Sequence, residues 1–426
     1  MMDLKRMTQD QLQAEYDRLW AQYRAFQAEN RKLDMSRGRP DTDQLDLSND
    51  MLEPFDPIAP NGVDCRNYGM PEGVRELADI FAGMMEVPSD WVILGGASSL
   101  NLMFDKISDA MTHGVCGCTP WMQQMPVKFL CPVPGYDRHF TICEYFGIEM
   151  IPVPMTPTGP DMDMVERLAA SDDRIKGIWC VPKYSNPQGI TYSAETVRRF
   201  ARLHPAAPDF RIYWDNAYCV HDLTDTPDVL LSLYDACAQA GNLDLPIMFA
   251  STSKITLPGS GVSAVAESPA NAEQDKKRLF AQMVCGDKMN MMRHLHFLKD
   301  LDGVKAQMKR HAEKLRPKFD AVFDRLGAEF ENGTLLSWNE PHGGYFVSVD
   351  TMPGCAKRVV SLCAQAGVKL TNAGATYPYG KDPQDTNIRL APSGVGLEEL
   401  NLALKLFCLC VKLASLEKAM QAPDSV

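Results

Sequence analysis

The sequence predicts an α/β protein with a large domain, in which a mostly parallel sheet lies between helices, and a smaller α+β domain. Between about residues 70 and 265, short apolar runs alternate with helical stretches, as in a parallel sheet covered by helices. After about residue 300 this rhythm changes to a long charged helical segment, two separated strands and a terminal helix. The chain of 426 residues is also longer than one hydrophobic core usually supports, which favours two domains.

The composition is that of an ordinary globular protein. With 45% hydrophobic and 23% charged residues, intrinsic disorder and collagen are both excluded. The net charge of -12 argues against nucleic acid or an anionic membrane as the main partner. Thirteen irregularly spaced cysteines indicate free thiols in the cytoplasm rather than a disulfide framework or a zinc site. No apolar stretch is long enough for an export signal or a membrane span, so neither is expected.

The first predicted element is an amphipathic helix from residue 8 to about residue 32, in which Thr8 and Gln11 can form a capping box. An irregular arm follows, SRGRPDTDQLDLSNDMLEPFDPIAPNG, whose Pro, Gly and Asp content suits a segment that lies over another surface. We predict that residues 1–55 join the small domain, that residues 56–300 form the large domain, and that residues 301–426 complete the small one.

The apolar runs of the large domain are predicted strands, and the polar residues that follow them are candidate site residues. The runs are WVILGG, KFLCPVP, IEMIPVP, GIWCVP, FRIYWDNA and IMFASTSK. Functional groups of an open α/β sheet lie just beyond the C-terminal ends of its strands. In the small domain, GGYFVSVD and NIRLAP are predicted strands, and a helix is predicted from Leu397 onward.

The first polar cluster follows the predicted strand WVILGG. Gly95 and Gly96 turn the chain into a helix that begins near Ala97 and Ser98. Free N–H groups and the positive end of the helix dipole attract an anion at such a place. A Gly-Gly turn can also be a simple connection, so this cluster alone does not establish a site.

Two further clusters supply a carboxylate and an amine. Asp215 and Tyr218 end the run FRIYWDNAY, where a buried carboxylate would need a cationic partner; a helix-capping Asp with a packed Tyr is the alternative. Ser251 and Lys254 end the run IMFASTSK. A lysine that leaves water has a lowered pKa and becomes a nucleophile suited to a Schiff base, whereas an ordinary surface lysine is the alternative.

Taken in order, these and four other motifs resemble the fold-type I pyridoxal-phosphate enzymes of aminotransferase class I. The resemblance covers about residues 36–393 and rests on NYGMPEGVREL, GGASS, PGYDRH, YSNPQG, DNAY, STSK and NIRLAPS. The forms GGASS and STSKITLPGSG are most similar to a divergent group of bacterial aspartate aminotransferases. The resemblance implies the fold of that class, the cofactor pyridoxal 5′-phosphate, and transfer of an amino group between an amino acid and a 2-oxo acid.

The resemblance also implies a role for each motif residue. Lys254 would carry the cofactor in a Schiff base and move the proton at the substrate Cα, and Asp215 would pair with the pyridine nitrogen. Tyr218 would hydrogen-bond the phenolic oxygen of the ring. The remaining cofactor contacts would come from Ala97, Ser98, Tyr136, Asn186 and Ser251, with His139 behind Asp215 at the cofactor site and Tyr68 supplied by the second subunit of a homodimer that shares its active sites.

Substrate binding is implied for Arg389, which would hold the α-carboxylate, together with Asn186 and Gly38. A dicarboxylic substrate needs a second cation, because burying its side-chain carboxylate without a partner is unfavourable. The candidates for that cation are Arg37, Arg39, Lys288 and Arg293. The similarity to the aspartate-specific group favours aspartate or glutamate as amino donor, with 2-oxoglutarate or oxaloacetate as acceptor.

One position departs from the family, and two alternative functions stay open. Val262 stands where most members have an arginine that binds the cofactor phosphate, so another group must hold that phosphate. The same cofactor also serves β-elimination, decarboxylation, racemisation and transamination of aromatic amino acids. A ligand-sensing domain without turnover is the other alternative, although the segment before the arm is too short for a winged helix.

Overall fold

Thirteen strands in three sheets organise residues 4–421, the part of the chain that the structure, a computed structural model, describes. Their bounds are β1 (Leu33–Asp34), β2 (Val92–Gly95), β3 (Lys128–Val133), β4 (Glu149–Thr156), β5 (Gly159–Pro160), β6 (Ile175–Cys180), β7 (Arg211–Asp215), β8 (Pro246–Ser251), β9 (Ser263–Glu267), β10 (Leu336–Trp338), β11 (Val347–Thr351), β12 (Val368–Lys369) and β13 (Asn387–Leu390). Every residue of β6, β7 and β9 is buried, as expected for strands covered on both faces.

The largest sheet has eight strands in the order β2-β9-β8-β7-β6-β3-β4-β5. Its centre is parallel, from β8 through β7, β6 and β3 to β4, which confirms the predicted mostly parallel sheet. Strand β9, which the sequence did not predict, runs antiparallel between β8 and β2. The second sheet is antiparallel, in the order β10-β11-β13. The third is the parallel pair β1 and β12, which joins the N-terminal segment to the C-terminal part of the chain.

Thirteen α-helices surround these sheets in the described part of the chain. They are α1 (Gln9–Ala28), α2 (Thr42–Leu45), α3 (Arg75–Met85), α4 (Ser99–His113), α5 (Asp137–Phe146), α6 (Met162–Ser171), α7 (Ala194–Ala201), α8 (Leu233–Ala240), α9 (Pro269–Gln282), α10 (Lys288–Leu298), α11 (Leu301–Glu329), α12 (Ala356–Gln365) and α13 (Leu397–Gln421). None of the helices between residues 4 and 421 is long and apolar enough to cross a membrane.

The N-terminal helix α1 starts where the sequence predicts and ends earlier. Thr8 and Gln11 form the predicted capping box. The helix ends at Ala28 rather than near residue 32, because Asn30 has a left-handed φ of 49° and Leu33 already belongs to β1.

Separate hydrophobic cores support two domains. Two clusters of buried side chains contain residues from the strands of the eight-stranded sheet, and a third unites α1, α11, α12 and α13 with β11 and β13. Helix α1 lies in the third core, where the Tyr23 hydroxyl donates a hydrogen bond of 2.8 Å to the Leu362 carbonyl. We therefore propose the division that the sequence predicts, with residues 56–300 as the large domain and residues 1–55 and 301–426 as the small one. Helix α11 crosses between them, because its first turns, with Val304 and Met308, pack in the core of the large sheet.

Candidate active site

The strand ends that carry the predicted site residues open into one cavity of about 730 Å³. Strands β7 and β8 end at this cavity, and the N-terminal arm and the loops of the small domain border it. The predicted residues that line it are Arg37, Gly38, Arg39, Ser98, Tyr136, Asn186, Asp215, Tyr218, Ser251, Lys254 and Arg389. Residues as far apart in the sequence as Arg37 and Arg389 thus meet at one place, at the edge of the sheet where the strand ends of an open α/β fold converge.

Lys254 presents its amine to this cavity from the loop that follows β8. Its Nζ lies 4.9 Å from the centre of the Tyr218 ring, and no hydrogen bond or ion pair to the amine occurs among residues 4–421. Burial lowers the pKa of the Lys254 amine, and the nearby Asp215 carboxylate opposes that shift only in part. A lysine with a lowered pKa and no anionic partner in contact is chemically suited to act as a nucleophile and as a proton carrier.

Asp215 ends β7 with one carboxylate oxygen held and the other free. Its Oδ2 accepts a hydrogen bond of 3.1 Å from His139 Nε2, and the His139 ring stacks on Trp179 at 4.5 Å. Its Oδ1 is buried and has no hydrogen-bond partner in the described structure. An unpaired buried carboxylate oxygen is costly, so this atom needs a cationic or N–H partner from a bound molecule.

Arg389 reaches the cavity from β13, a strand of the three-stranded sheet. Its Nη1 donates to Asp137 Oδ1 at 2.8 Å and to Asn186 Oδ1 at 3.1 Å, and its guanidinium lies 4.8 Å from the centre of the Phe346 ring. Nη2 makes only a long contact of 3.5 Å with Thr371 Oγ1. Nε is buried and has no hydrogen-bond partner in the described structure, so Nη2 and Nε are the donors that remain for an anion entering the cavity.

Two tyrosines border the space between these charged groups. Burial raises the pKa of the Tyr218 hydroxyl well above its ordinary value and that of Tyr136 to about 12, so both are neutral at physiological pH. A neutral phenol can donate a hydrogen bond to an anionic oxygen.

Neutral donors line the end of the cavity near α4. Ser98 caps this helix, with its Oγ accepting from Leu100 N at 3.2 Å; Ser251 is the last residue of β8, and Ser253 lies in the loop that follows. Ala97 is not a lining residue, and its carbonyl accepts a hydrogen bond of 3.0 Å from the Ser253 hydroxyl. Val262 is only 1% exposed and supplies no charge here, so an anion would be held by hydroxyl and backbone N–H groups at the helix N-terminus.

Gly38 is required by the close approach of the arm to Phe346. A Cβ at position 38 would overlap the Phe346 ring, which itself lies against the Arg389 guanidinium. The absence of a side chain at Gly38 thus lets the arm, with Arg37 and Arg39, close over the part of the cavity that contains Arg389.

Besides Ala97 and His139, three predicted residues do not line the cavity of their own chain. Tyr68 is 76% exposed at the surface. Lys288 is buried and donates to the Gly69 carbonyl at 2.8 Å, and the Arg293 guanidinium lies 5.8 Å from the Phe55 ring. Neither Lys288 nor Arg293 lines the cavity of its own chain, so Arg37 and Arg39 are the two of these four predicted cations that border it.

Some lining residues were not predicted. Arg138, Lys369 and Thr371 also line the cavity, and Asp137 orients Arg389. Asp137 and Arg138 directly follow Tyr136 in the motif PGYDRH, which was a signal for them, whereas nothing in the local sequence marks Lys369 or Thr371.

The geometry agrees with comparisons to known proteins. An aspartate aminotransferase of Corynebacterium glutamicum is 42% identical over 396 residues, which are 92% of this chain and 91% of the relative. The crystal structure of an aspartate transaminase from Corynebacterium glutamicum has a TM-score of 0.94 at 40% identity, covering 98% of this chain and 99% of that one. An α-aminoadipate aminotransferase from Thermus thermophilus, crystallised with N-(5'-phosphopyridoxyl)-L-leucine, shares the fold alone, with a TM-score of 0.72 at 18% identity and coverage of 91% and 93%.

The match to the family covers nearly the whole chain. The aspartate amino-transferase family matches residues 7–423. That range includes the motifs that the sequence analysis assigned to aminotransferase class I and the cavity described above. The chain therefore belongs to the aspartate amino-transferase family, and it is an aminotransferase with the α/β fold of that class.

Proposed function

We propose that this aminotransferase works with pyridoxal 5′-phosphate and moves the amino group of a dicarboxylic amino acid, preferably aspartate, to a 2-oxo acid. The observation that carries the proposal is the meeting in one cavity of the Lys254 amine, the unpaired Asp215 Oδ1 and the Arg389 guanidinium. When bound, this cofactor supplies an aldehyde for the amino group and a ring that spreads the charge left when the substrate loses its Cα proton.

The residues present fit that cofactor. The free Oδ1 of Asp215 matches a protonated pyridine nitrogen, and His139 fixes the other oxygen so that the carboxylate cannot turn away. Tyr218 and Asn186 supply polar groups for a phenolic oxygen, and Tyr136 supplies a ring face. The phosphate would lie at the N-terminus of α4, bound by backbone N–H groups near Ala97 and by the hydroxyls of Ser98 and Ser251.

Lys254 is the residue to which we assign the chemistry at the substrate Cα. Its lowered pKa makes the amine available to bind the aldehyde, and once released, to take a proton from Cα and return it. Arg389 would hold the α-carboxylate through Nη2, while Asp137 and Asn186 keep its guanidinium plane in place.

The proposal also specifies which substrate side chain the cavity selects. Arg37 and Arg39 line the same cavity as Arg389 and are exposed, so either can meet a second carboxylate. The name of the 42% identical relative, aspartate aminotransferase, supports the same choice. We propose that the arm supplies the second cation and thereby selects dicarboxylic substrates.

A panel of amino donors tests the substrate assignment. With 2-oxoglutarate as acceptor, aspartate should exceed alanine and phenylalanine in kcat/KM by at least about tenfold, equivalent to roughly 1.4 kcal/mol of transition-state binding. Arg37→Gln or Arg39→Gln should reduce the rate with aspartate and leave the rate with alanine unchanged. A faster reaction with an aromatic or branched-chain donor would contradict the dicarboxylate assignment, although not the aminotransferase activity.

The half-reaction separates transamination from other reactions of the same cofactor. Aspartate alone should remove the visible absorbance of the lysine-bound cofactor, and added 2-oxoglutarate should restore it. A β-elimination or decarboxylation would instead release its product without any need for the 2-oxo acid.

We also propose a homodimer in which each subunit supplies Tyr68 to the active site of the other. The support is that Tyr68 is 76% exposed and does not line the cavity of its own chain, in a segment anchored by Lys288 at the Gly69 carbonyl. Mixed dimers of Lys254→Ala and Tyr68→Ala subunits contain one site with both native residues, so mixing and reassociation should give more activity than the separate variants. An active monomer in sedimentation, or no gain on mixing, would contradict the proposal.

A further inference from the structure

The loop that carries Lys254 rests on a buried layer of polar groups that the proposed chemistry does not use. Ile255 and Thr256, which follow the lysine, are fully buried. Beneath them lie polar side chains from three separate parts of the chain, namely Gln44 and Ser48 of the arm, Gln307 and His311 of α11, and Tyr345 before β11.

Two backbone carbonyls of this loop receive hydrogen bonds from that layer. The Ile255 carbonyl accepts from His311 Nε2 at 2.9 Å and from Gln307 Nε2 at 3.2 Å. The Lys254 carbonyl lies 3.5 Å from the Tyr345 hydroxyl, which is oriented to donate to it. The backbone that bears the lysine is thus held by groups that do not line the cavity.

The hydrogen bonds fix the tautomer of His311 and the orientation of Gln44. Since a carbonyl can only accept, His311 must carry its proton on Nε2, and its Nδ1 is left as an acceptor. Gln44 Nε2 lies 3.1 Å from that Nδ1 and 3.0 Å from the Tyr345 hydroxyl, so its two hydrogens serve both groups. The Tyr345 hydrogen then remains for the Lys254 carbonyl. Burial lowers the pKa of His311 and so favours the neutral form that this pattern requires.

The part of the arm that contains Gln44 is held in place by a largely buried ion pair. Asp41, which caps α2, accepts a hydrogen bond of 2.5 Å from Lys318 Nζ, and Lys318 also donates to the Ser393 carbonyl at 3.0 Å. Gln44 is fully buried, so its donors are not shared with solvent. Apolar side chains could fill this space without the desolvation free energy that buried polar groups require. The presence of polar groups therefore favours a role for them beyond packing.

We propose that His311 and Gln44 are positioning residues for Lys254. His311 holds the Ile255 carbonyl, and Gln44 orients both His311 and the Tyr345 hydroxyl that faces the Lys254 carbonyl, so that the amine stays directed at the cofactor and the substrate Cα. The proposal rests on the role proposed above for Lys254. Displacement of a reacting group by about 1 Å can cost on the order of a hundredfold in rate, so loss of these contacts should affect chemistry more than substrate binding.

Paired substitutions at position 311 test the idea. The amide that His311→Gln introduces can still donate to the Ile255 carbonyl, whereas His311→Leu and Gln44→Leu cannot replace the lost donors. In the leucine variants, kcat should fall by at least about tenfold while KM changes by less than about threefold. His311→Gln should keep kcat within about threefold of the native enzyme.

A second measurement does not depend on turnover. The apoenzyme is mixed with pyridoxal 5′-phosphate, and attachment to Lys254 is followed by absorbance and confirmed by borohydride reduction. Attachment should be at least about tenfold slower in the leucine variants, and the absorbance titration of the linkage should shift along the pH axis. Tyr23→Phe is the matched control, because it removes a buried hydroxyl–carbonyl bond far from the loop, and it should leave both readings unchanged.

The outcomes that overturn the proposal are distinct from failure of the Lys254 assignment. Native attachment rates and kcat in folded His311→Leu and Gln44→Leu would overturn it, as would equal losses in His311→Gln and His311→Leu. If the leucine variants do not fold, Tyr345→Phe decides, since it keeps the ring and should slow attachment by at least about threefold relative to Tyr23→Phe. Attachment of the cofactor to a lysine other than Lys254 would instead refute the proposed function.

Discussion

Replacement of Lys254 by alanine should abolish covalent attachment of the cofactor and reduce kcat by at least about 10⁴-fold, because the nucleophile and the proton carrier at Cα are lost together. Borohydride treatment of the native holoenzyme, followed by peptide mass analysis, should label Lys254, and the variant should carry no label. Added methylamine should restore part of the rate, since a free amine can replace the missing base.

Lys183→Ala is the matched control for this experiment. Lys183 is also a buried lysine, but its Nζ is paired with Asp222 at 2.8 Å and it does not line the cavity. Its variant should still be labelled at Lys254. A labelled lysine elsewhere together with full turnover in Lys254→Ala would show that the assignment is wrong.

Asp215→Ala should retain part of its cofactor and lose about 10³-fold or more in kcat. The carboxylate would face a positive pyridine nitrogen, and removing a charge that stabilises the transition state in a buried site is costly. His139→Phe should have a smaller effect, since it removes one hydrogen bond to Asp215 and leaves the carboxylate in place. Rates of the half-reaction with aspartate and the absorbance of bound cofactor measure both effects. Near-native activity of Asp215→Ala would contradict the pyridine role.

Much of the fold could be predicted because its signals are local. The apolar runs that became β2, β3, β4, β6, β7 and β8 are each short and alternate with helical stretches, so their length and spacing identify them. Strand β9 was missed because its sequence, SAVAE, lies directly after the loop of Lys254 and contains small residues rather than the branched and aromatic ones typical of strands.

The candidate site also has residues that could be predicted from local sequence and others that could not. Lys254 and Asp215 could be predicted because each follows a strand, and strand ends converge at one edge of a parallel sheet. The contact between Gln44 and His311 joins positions 267 residues apart, and neither residue lies in a motif. Arg37 and Lys288 were equal candidates by charge, and only the packing shows that one lines the cavity and the other is committed to the Gly69 carbonyl.

Helix α11 carries a mechanical consequence for any movement between the domains. Its 29 residues extend for about 43 Å, with Val304 and Met308 anchored in the core of the large sheet and Leu315 and Phe319 in the core of the small domain. Pro317, which lies within this helix, cannot donate a backbone hydrogen bond to the preceding turn, so resistance to bending is weakest there. The helix therefore bends most easily one to two turns beyond His311. A rotation of the small domain about that point would strain the hydrogen bond between His311 and the loop that carries the reactive amine.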